Sequence, residues 1–320
     1  MTDISISQTP PDNWKTYCQA SNALFHSQAW QELLESAFKS QTLYGRDVSA
    51  DYGMAMSIFP AGPFKIGYLG FPVGGLLGKC KLGSEIINEW MLSKSLFNCH
   101  CLRIPVSGFE NTEGLALPYK SNPETAICDL QNWDINQVSK KLRRDIKKAQ
   151  RGNLTITDAL SPADGSDMYS VYKRTVKRHS GSLRYNEEYF SSTVNLSGTH
   201  PGLRCMIARS GDRLAGFAII ATHKQTTYYL HGGTEFSLRH LSPSDLLLHE
   251  AILWAQKNGS DRFNLMTSSN DQPSLVRYKE KWGAITRTHR TYTLRMQPVL
   301  CTSFGIAEWM YNLLRKTMAA

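Results

Sequence analysis

The order of strand-forming and helix-forming segments in the second half of the chain limits its fold more than any other feature. Apolar residues on both sides of Gly211-Asp212 predict a β-hairpin, and Ser242-Pro243 predicts the start of a helix that ends at Asn258-Gly259. The order predicts an α/β fold with mixed α+β sheets. The segments are a hairpin over 203–221, a strand over 225–230, a helix over 243–257, a strand over 261–266, a helix over 274–282 and a strand over 287–296.

The first half of the chain alternates in the same way. A helix from Ser27 places Trp30, Leu33 and Leu34 on one face. Because one domain takes roughly 150 residues, a chain of 320 residues corresponds to about two domains. Further predicted elements are strands over 41–48, 52–60, 65–70, 101–105 and 124–130 and a helix over 83–97.

A strongly basic helix is predicted near the middle of the chain. Asp134 with Gln137 has the form of a capping box, Leu142 and Ile146 recur at helical spacing, and Gly152 suits the C-cap. We place the boundary between the two predicted domains near this helix. Its polar face holds Lys140, Lys141, Arg143, Arg144, Lys147, Lys148 and Arg151.

The predicted domains follow from this basic linking helix, at about 135–151. We expect an N-terminal domain over 1–135, a C-terminal domain over 136–300 and an amphipathic helix over 301–320. Such a terminal helix either docks on its own domain or lies on a membrane surface.

Charge is divided unevenly along the chain. Residues 1–130 carry 9 Lys and Arg against 12 Asp and Glu, a net charge of −3, whereas residues 131–320 carry 27 against 15, a net charge of +12. A basic half favours an anionic ligand such as RNA, a phosphorylated carrier, a nucleotide-bearing substrate or an anionic membrane face. A cationic surface that only keeps the protein soluble would have the same composition.

The composition excludes several classes of protein. Hydrophobic residues make up 41% and charged residues 20%, which is typical of a globular chain and not of a disordered or collagen-like one. No apolar run approaches the roughly 20 residues of a spanning helix, and the N-terminal residues do not resemble a secretion signal. We interpret the seven cysteines as reduced thiols of a cytoplasmic protein. Cys99-His100-Cys101 alternates along a strand without a second Cys/His pair, so no metal site is predicted.

Four segments, in this order, resemble the Fem-type (FemAB-like) transferases, relatives of the GNAT acyltransferases. The first three are the helix start at 27–30, the glycine-rich loop over 67–75, and the strand and basic helix over 129–152. The fourth comprises His231-Gly232-Gly233, Arg239, Ser242-Pro243-Ser244, Leu247-Leu248, Glu250-Ala251, Trp254-Ala255, Gly259, Phe263-Asn264-Leu265, Tyr278-Lys279 and Trp282-Gly283.

The resemblance implies two tandem GNAT-like domains and an acyltransferase. An acyl or aminoacyl group would pass from aminoacyl-tRNA or acyl-CoA to an amine or hydroxyl of a cell-envelope or surface-glycan precursor. No tightly bound cofactor is implied, and the location would be the cytoplasm or the inner face of the membrane. The usual GNAT glycine-rich loop is replaced here by the sequence over 239–244, which argues against acetyl-CoA bound in the usual way. A catalytically silent RNA- or membrane-binding protein on the same fold is the alternative.

The resemblance also implies catalytic residues. It places a charge-stabilising lysine at Tyr278-Lys279, and a fixed cation in a water-poor site stabilises the oxyanion of acyl transfer. His231 or Glu250 would be the general base if either reaches the acceptor amine. Each of these three residues also has a purely structural interpretation. Lys279 would be a solvated lysine, His231 a histidine paired with backbone, and Glu250 an ion-paired glutamate.

The residues expected to bind the donor or the acceptor are mostly basic. Arg239 and Ser244 flank the start of the helix at Pro243, where free N–H groups and the helix dipole favour a phosphate. The basic linking helix either follows a phosphate backbone or is only a solvated connection. The predicted binding set is Tyr278, Arg239, Ser244, Arg144, Lys148, Arg184, Tyr185 and Arg277.

Overall fold

The chain forms two compact units in the computed structural model, which describes residues 4–47, 51–110, 115–152, 154–179 and 181–319. The first unit combines Met1–Ser121 with His289–Ala320, and the second is Asn122–Thr288. The second unit is thus one continuous segment inserted into the first. The second unit begins at Asn122, before the expected boundary at 135/136, and the C-terminal helix belongs to the first unit.

The strands and helices are numbered along the chain. The strands are β1 (Ser5–Ser7), β2 (Gln41–Asp47), β3 (Tyr52–Ala61), β4 (Phe64–Leu69), β5 (Leu77–Gly78), β6 (Cys101–Val106), β7 (Tyr119–Ile127), β8 (Leu154–Asp158), β9 (Leu203–Ser210), β10 (Arg213–His223), β11 (Thr226–Thr234), β12 (Arg262–Thr267) and β13 (Ile285–Arg295). The α-helices are α1 (Trp14–Ala20), α2 (Gln28–Phe38), α3 (Ser84–Leu92), α4 (Lys140–Arg151), α5 (Pro162–Arg178), α6 (Glu187–Ser197), α7 (Pro243–Lys257), α8 (Pro273–Glu280) and α9 (Pro298–Ala319). Among the residues described, no helix has both the length and the apolar character that crossing a membrane requires.

The first unit is built on a mixed sheet in the order β1-β2-β3-β4-β6-β13, with β5 paired to β3. Its neighbours are antiparallel except β4 and β6, which run parallel. Helix α2 begins as expected at Ser27, whose hydroxyl accepts a hydrogen bond from the Trp30 N–H at 3.3 Å. The apolar side of α2, with Trp30 and Leu34 fully buried, then lies in the core.

Helix α9 packs on the first unit through one side. The ring of Phe304 lies 5.5 Å from that of Phe64. The Glu308 carboxylate accepts hydrogen bonds from Arg103 and Lys120, each at 2.7 Å. The predicted amphipathic helix is therefore present, and ion pairs and a ring contact attach it to its own unit.

One pair of cysteines corrects the expectation of seven reduced thiols. Cys101 of β6 and Cys301 of α9 form a disulfide, with their Cα atoms 5.3 Å apart. The two residues are 200 positions apart in the sequence, so no local spacing rule could pair them. The remaining cysteines are free: Cys18, Cys80, Cys99, Cys128 and Cys205.

The second unit is built on a mixed sheet in the order β7-β12-β11-β10-β9-β8. Among the described strands of this unit, β11 and β12 form the one parallel pair, and the predicted hairpin joins β9 to β10 through Gly211 at φ +58°. Adjacent residues of β10 show that helices cover both faces. Gly216 faces Leu247 of α7, whereas the ring of Phe217 lies 5.8 Å from that of Phe190 of α6. The α/β class with mixed sheets is confirmed.

Two helix starts in the second unit differ from those predicted. The N-cap of α4 is Ser139, which accepts a hydrogen bond from the Leu142 N–H at 3.3 Å, whereas Asp134 caps a separate short 3₁₀ turn. Ser242 adopts a left-handed conformation before α7 and makes no side-chain capping bond. Gly152 ends α4 and Pro243 begins α7 as predicted.

Candidate active site

The candidate active site lies where β11 and β12 stop pairing. The two strands are paired from Thr226 opposite Arg262 to Tyr228 opposite Asn264. Beyond these residues β11 continues to Thr234 beside β10, and β12 continues to Thr267 beside β7. The carboxyl ends of two parallel strands are therefore free to line a space between them.

A cavity of about 290 Å³ is lined by residues of both strands. The end of α5, the first turns of α7 and the middle of α8 complete its wall. A concave, largely apolar surface with a few polar groups is typical of a small-molecule site. The lining includes Arg178, Gly233, Ser244, Leu265, Tyr278 and Lys279.

Two glycines of β11 allow close packing at this cavity. A Cβ atom at Gly232 would overlap the hydroxyl of Tyr229. At Gly233 a Cβ atom would lie 2.6 Å from Cε1 of Phe217, which is fully buried. The predicted His-Gly-Gly segment is thus required for packing on both sides of the strand.

We expect Gly233→Ala to lower the free energy of unfolding by about 1–3 kcal/mol, because the added methyl group overpacks the core against Phe217. Urea denaturation measures this change. Gly305→Ala on α9 is the matched control, since a Cβ atom there has no neighbour within 4 Å and alanine favours a helix. Equal losses of stability in the two variants would contradict the close contact at Gly233.

Lys279 lies on the cavity wall with its side chain only 7% exposed. Its Nζ donates hydrogen bonds to the carbonyls of Met266 at 2.9 Å and Thr267 at 3.2 Å. Burial lowers the pKa of Lys279 to about 8, while the nearby Glu124 carboxylate opposes this shift. An ammonium carries three N–H donors, and these two hydrogen bonds occupy two of them.

A buried polar link positions Lys279. The amide of Asn264 donates to Glu124 Oε1 at 2.8 Å, and its Oδ1 accepts from the Met266 N–H at 2.7 Å. Met266 adopts φ +62°, which is rare for a residue other than glycine. The Asn264 hydrogen bond supports this conformation, and the Met266 carbonyl in turn holds the ammonium.

Tyr278 is fixed by a hydrogen bond rather than exposed to solvent. Its hydroxyl donates to Asp245 Oδ1 of α7 at 2.8 Å. Burial raises the pKa of both Tyr278 and Asp245. Both members of the predicted pair thus lie at the cavity, Lys279 buried and Tyr278 half-buried, and the tyrosine joins α8 to α7.

Cationic side chains cluster around Phe236, in the turn that precedes α7. The Arg239 guanidinium lies 3.6 Å from the centre of the Phe236 ring, and that of Arg178 lies 4.9 Å from it. Arg178 and Ser244 line the cavity. Arg239 lies over the same Phe236 ring as Arg178. The start of α7 adds free N–H groups beside them, so this end of the cavity favours an anion.

His231 lies on the other side of β11, among aromatic rings. Its Nε2 is 3.0 Å from the Tyr189 hydroxyl, and the ring of Tyr185 lies 4.4 Å from its own ring. Burial lowers the pKa of His231 to about 3, so the imidazole is neutral and weakly basic at pH 7. A general base works best with a pKa near the operating pH, so this geometry does not suit the predicted role.

Glu250 and Arg277 also lie outside the cavity lining. Glu250 is on α7 with 39% of its side chain exposed, and its carboxylate is 3.9 Å from His249 Nδ1. Arg277 is exposed on α8. Arg184 is in the loop before α6, where its backbone N–H donates to the Tyr172 hydroxyl at 3.3 Å.

The predicted contacts Arg144 and Lys148 belong to a second surface on α4. They line a shallow groove of about 770 Å³ together with buried His249. None of the α4 cations has a carboxylate within 4 Å in the part of the chain described. The cationic face of α4, as we call it, consists of Lys140, Arg143, Arg144, Lys147, Lys148 and Arg151.

Within the described ranges no group of three His, Cys, Asp or Glu side chains could hold a metal ion. Cys101 is in the disulfide and His100 Nδ1 accepts from the Lys65 N–H at 3.2 Å.

Sequence reasoning gave no role to Glu124 or to Asn264. Asn264 is a polar residue within the apolar strand segment Phe263–Leu265, which signals a buried side chain with a specific partner. Glu124 is 140 positions earlier, so only the pairing of β7 with β12 reveals it.

Residues 136–280 match the family described as "Acetyltransferase (GNAT) domain". The matched segment lies within the second unit and contains the cavity together with Lys279. No curated protein matches the chain significantly.

Solved structures share the fold over nearly the whole chain. FemX has a TM-score of 0.63 at 12% identity, with 92% of this chain and 98% of that chain covered. L-PGS from Bacillus licheniformis has a TM-score of 0.55 at 12% identity, covering 94% and 97%. A tandem GNAT protein from the clavulanic acid biosynthesis pathway has a TM-score of 0.55 at 10% identity, covering 92% and 99%. The expected tandem GNAT-like fold and the resemblance to Fem-type proteins are confirmed.

Proposed function

We propose that the protein is an acyltransferase whose donor carbonyl binds in the cavity between β11 and β12. The observation that carries this proposal is the buried ammonium of Lys279 on the cavity wall. The donor is an activated ester or thioester, as in aminoacyl-tRNA or acyl-CoA, and the acceptor is an amine or hydroxyl of a cell-envelope or surface-glycan precursor. The shared fold with FemX and L-PGS and the match to the GNAT family support this class of reaction.

The proposed reaction needs no covalent enzyme intermediate. The acceptor amine or hydroxyl attacks the donor carbonyl and forms a tetrahedral oxyanion. Lys279, through the N–H that does not bind Met266 or Thr267, donates a hydrogen bond to that oxygen. Collapse of the intermediate breaks the bond to the leaving oxygen or sulfur, which takes up the proton lost by the acceptor.

Proton removal is assigned to the acceptor and the leaving group rather than to the enzyme. His231 has a pKa of about 3, and Glu250 lies outside the cavity lining. An acceptor amine in its free-base form attacks without help and passes its proton to the departing group.

The cations near Phe236 would bind the phosphates of the donor. Arg178 and Ser244 belong to the cavity lining, and Arg239 stacks on the same ring as Arg178. Both donor classes carry phosphates as well as an activated carboxyl group. Since both are made in the cytoplasm, we place the reaction there, with no tightly bound cofactor.

A thermal-shift panel tests this proposal. The ligands are acetyl-CoA, a long-chain acyl-CoA, deacylated tRNA, aminoacylated tRNA and a UDP-linked muramyl peptide. A ligand at one hundred times its Kd stabilises the folded state by about 2.7 kcal/mol, which is easily measured. Transfer of labelled acyl group is then assayed with any donor that binds. Absence of a shift and of transfer with both donor classes would refute the proposal.

The cationic face of α4 favours a second candidate function, RNA binding without catalysis. Six cations on one helix face, with no carboxylate partner among the residues that the structure describes, bind a phosphate backbone with strong salt dependence. Catalytic turnover with any donor would decide against it.

We expect Arg144→Gln with Lys148→Gln to weaken RNA binding at low salt. The slope of log affinity against log salt should become shallower by about 0.7–0.9 for each lost phosphate contact. Lys15→Gln with Lys79→Gln, two exposed lysines of the first unit, is the control with equal charge change. Identical slopes for the two double variants would remove α4 from RNA recognition.

A further inference from the structure

Helix α9 carries an uncovered apolar row opposite the side that packs on the first unit. Val299, Ile306, Met310 and Leu314 recur at intervals of seven and four residues and therefore share one side of the helix. Their exposed fractions are 78%, 55%, 49% and 61%, and adjacent Trp309 is 64% exposed. We call these five residues the apolar row. Exposed apolar side chains concentrated on one side of a helix in this way indicate an interaction site.

Contacts on the other side fix the helix in this orientation. Cys301, Phe304 and Glu308 follow one another at intervals of three and four residues. They carry the disulfide, the ring contact and the ion pairs with the first unit. The helix cannot turn the apolar row inward without breaking all three attachments.

The size of the apolar row is too small for a stable protein dimer. The apolar row spans the 16 residues from Val299 to Leu314, about 24 Å of helix, and one face is about 10 Å wide, so the row offers roughly 240 Å². Each partner in a standard interface contributes about 800 Å². A lipid bilayer has no such requirement, because acyl chains adapt to any exposed apolar side chain.

Cations lie next to the apolar row. Ile306 and Trp309 line a groove of about 430 Å³ together with Lys120 and Arg295. The Lys120 side chain is 70% exposed although it is paired with Glu308. Apolar and tryptophan side chains beside cations form the pattern of a helix that lies in the membrane interface and attracts anionic headgroups.

We propose that α9 binds the surface of an anionic lipid bilayer. The apolar row enters the boundary between headgroups and acyl chains, and Lys120 and Arg295 face the headgroups. This inference goes beyond the proposed acyl transfer and does not depend on it. Membrane attachment would bring the first unit to lipid-linked acceptors.

Vesicle flotation with the full chain tests the proposal. Wild-type protein should float with phosphatidylcholine vesicles that contain phosphatidylglycerol, and more weakly with phosphatidylcholine alone. Ile306→Glu with Met310→Glu should reduce the partition coefficient at least about tenfold, because two apolar side chains no longer enter the bilayer. Leu92→Glu with Leu160→Glu, at residues 89% and 79% exposed, is the control with the same change of charge and should bind like the wild type.

A second measurement reports the depth of α9. Lipids brominated on their acyl chains should quench tryptophan fluorescence, and Trp309→Phe should remove the quenched component. Failure of the wild type to float, or equal binding of the double Glu variant, would overturn the proposal. Light scattering gives a further outcome that would overturn the proposal. If the wild type is a dimer and the double Glu variant is a monomer, the apolar row binds a second copy of this chain. Transfer from a bound donor to a soluble acceptor should be unchanged in the double Glu variant, so the two proposals fail separately.

Discussion

Replacing Lys279 with methionine should lower turnover by about two to three orders of magnitude. Removal of one donor from an oxyanion site has an effect of this size. Methionine preserves the length of the side chain and fills the same buried space, so the cavity shape changes little. Single-turnover transfer with saturating donor measures the loss directly.

The dependence of the rate on pH gives a sharper test of Lys279. Because burial lowers its pKa to about 8, the ammonium is lost as the pH rises through 8, and turnover should fall there. Lys279→Arg keeps its charge at all accessible pH values. This variant should retain part of the activity and lose the decline above pH 8.

Measurements of the free energy of unfolding show whether Lys279 serves catalysis or only the stability of the fold. The folded pKa of about 8 lies below the ordinary value of 10.5, so the folded state binds fewer protons than the unfolded chain between these values. Stability therefore rises with pH from about 8 to 10.5, and below pH 8 the buried charge costs about 3 kcal/mol.

Lys279→Met removes this cost together with two hydrogen bonds, so we expect no large net loss of folding stability. Lys281→Met, an exposed neighbour, is the control. Wild-type turnover in Lys279→Met would remove the residue from the mechanism.

Replacing Asn264 with leucine should reduce both stability and turnover. Leucine has nearly the same shape but leaves Glu124 Oε1 and the Met266 N–H without their hydrogen bonds. Burying unsatisfied polar groups of this kind costs about 2–5 kcal/mol. We expect turnover to fall by about 10–100-fold, as it does for groups that orient a catalytic residue. Urea denaturation and single-turnover transfer measure the two effects.

The companion change Glu124→Gln separates the effect of the Glu124 charge on Lys279 from the effect of a lost hydrogen bond. Glutamine keeps an acceptor for the Asn264 amide but removes the negative charge that raises the pKa of Lys279. The decline of turnover at high pH should therefore move to below 8. Asn132→Leu, at an exposed site of the same unit, is the control for the leucine change. An unchanged pH profile in Glu124→Gln would mean that the carboxylate has no influence on Lys279.

The order of the elements was predictable because most of them carry local signals. The hairpin at Gly211 and the helix after Pro243 follow from turn and cap preferences that a few residues determine. The N-cap of α4 was assigned to Asp134 instead of Ser139, since both residues are good caps and only the backbone course distinguishes them. The return of 289–320 to the first unit depends on pairing between β6 and β13, which is a long-range interaction.

The candidate site was predictable only in part for the same reason. Tyr278 and Lys279 were identified together, and Ser244 was identified on the correct helix. His231 was assigned to the site from its position next to Gly232-Gly233. Successive residues of a strand point to opposite faces, and β11 directs the His231 side chain to the aromatic rings. Glu124 reaches Asn264 only through the sheet, so no local pattern marks it.

The insertion of the second unit into the first determines the order in which a ribosome completes them. All of Asn122–Thr288 leaves the ribosome before the residues that finish the first unit. Until β13 is synthesised, β6 lacks its antiparallel neighbour, so the backbone N–H and C=O groups on that side of β6 have no strand to pair with. In a nascent chain such an edge can pair with other strands. Strand β13 closes that edge, and Cys301 of helix α9 bonds to Cys101, only after the second unit has been translated. The unit translated first is thus the last to be completed.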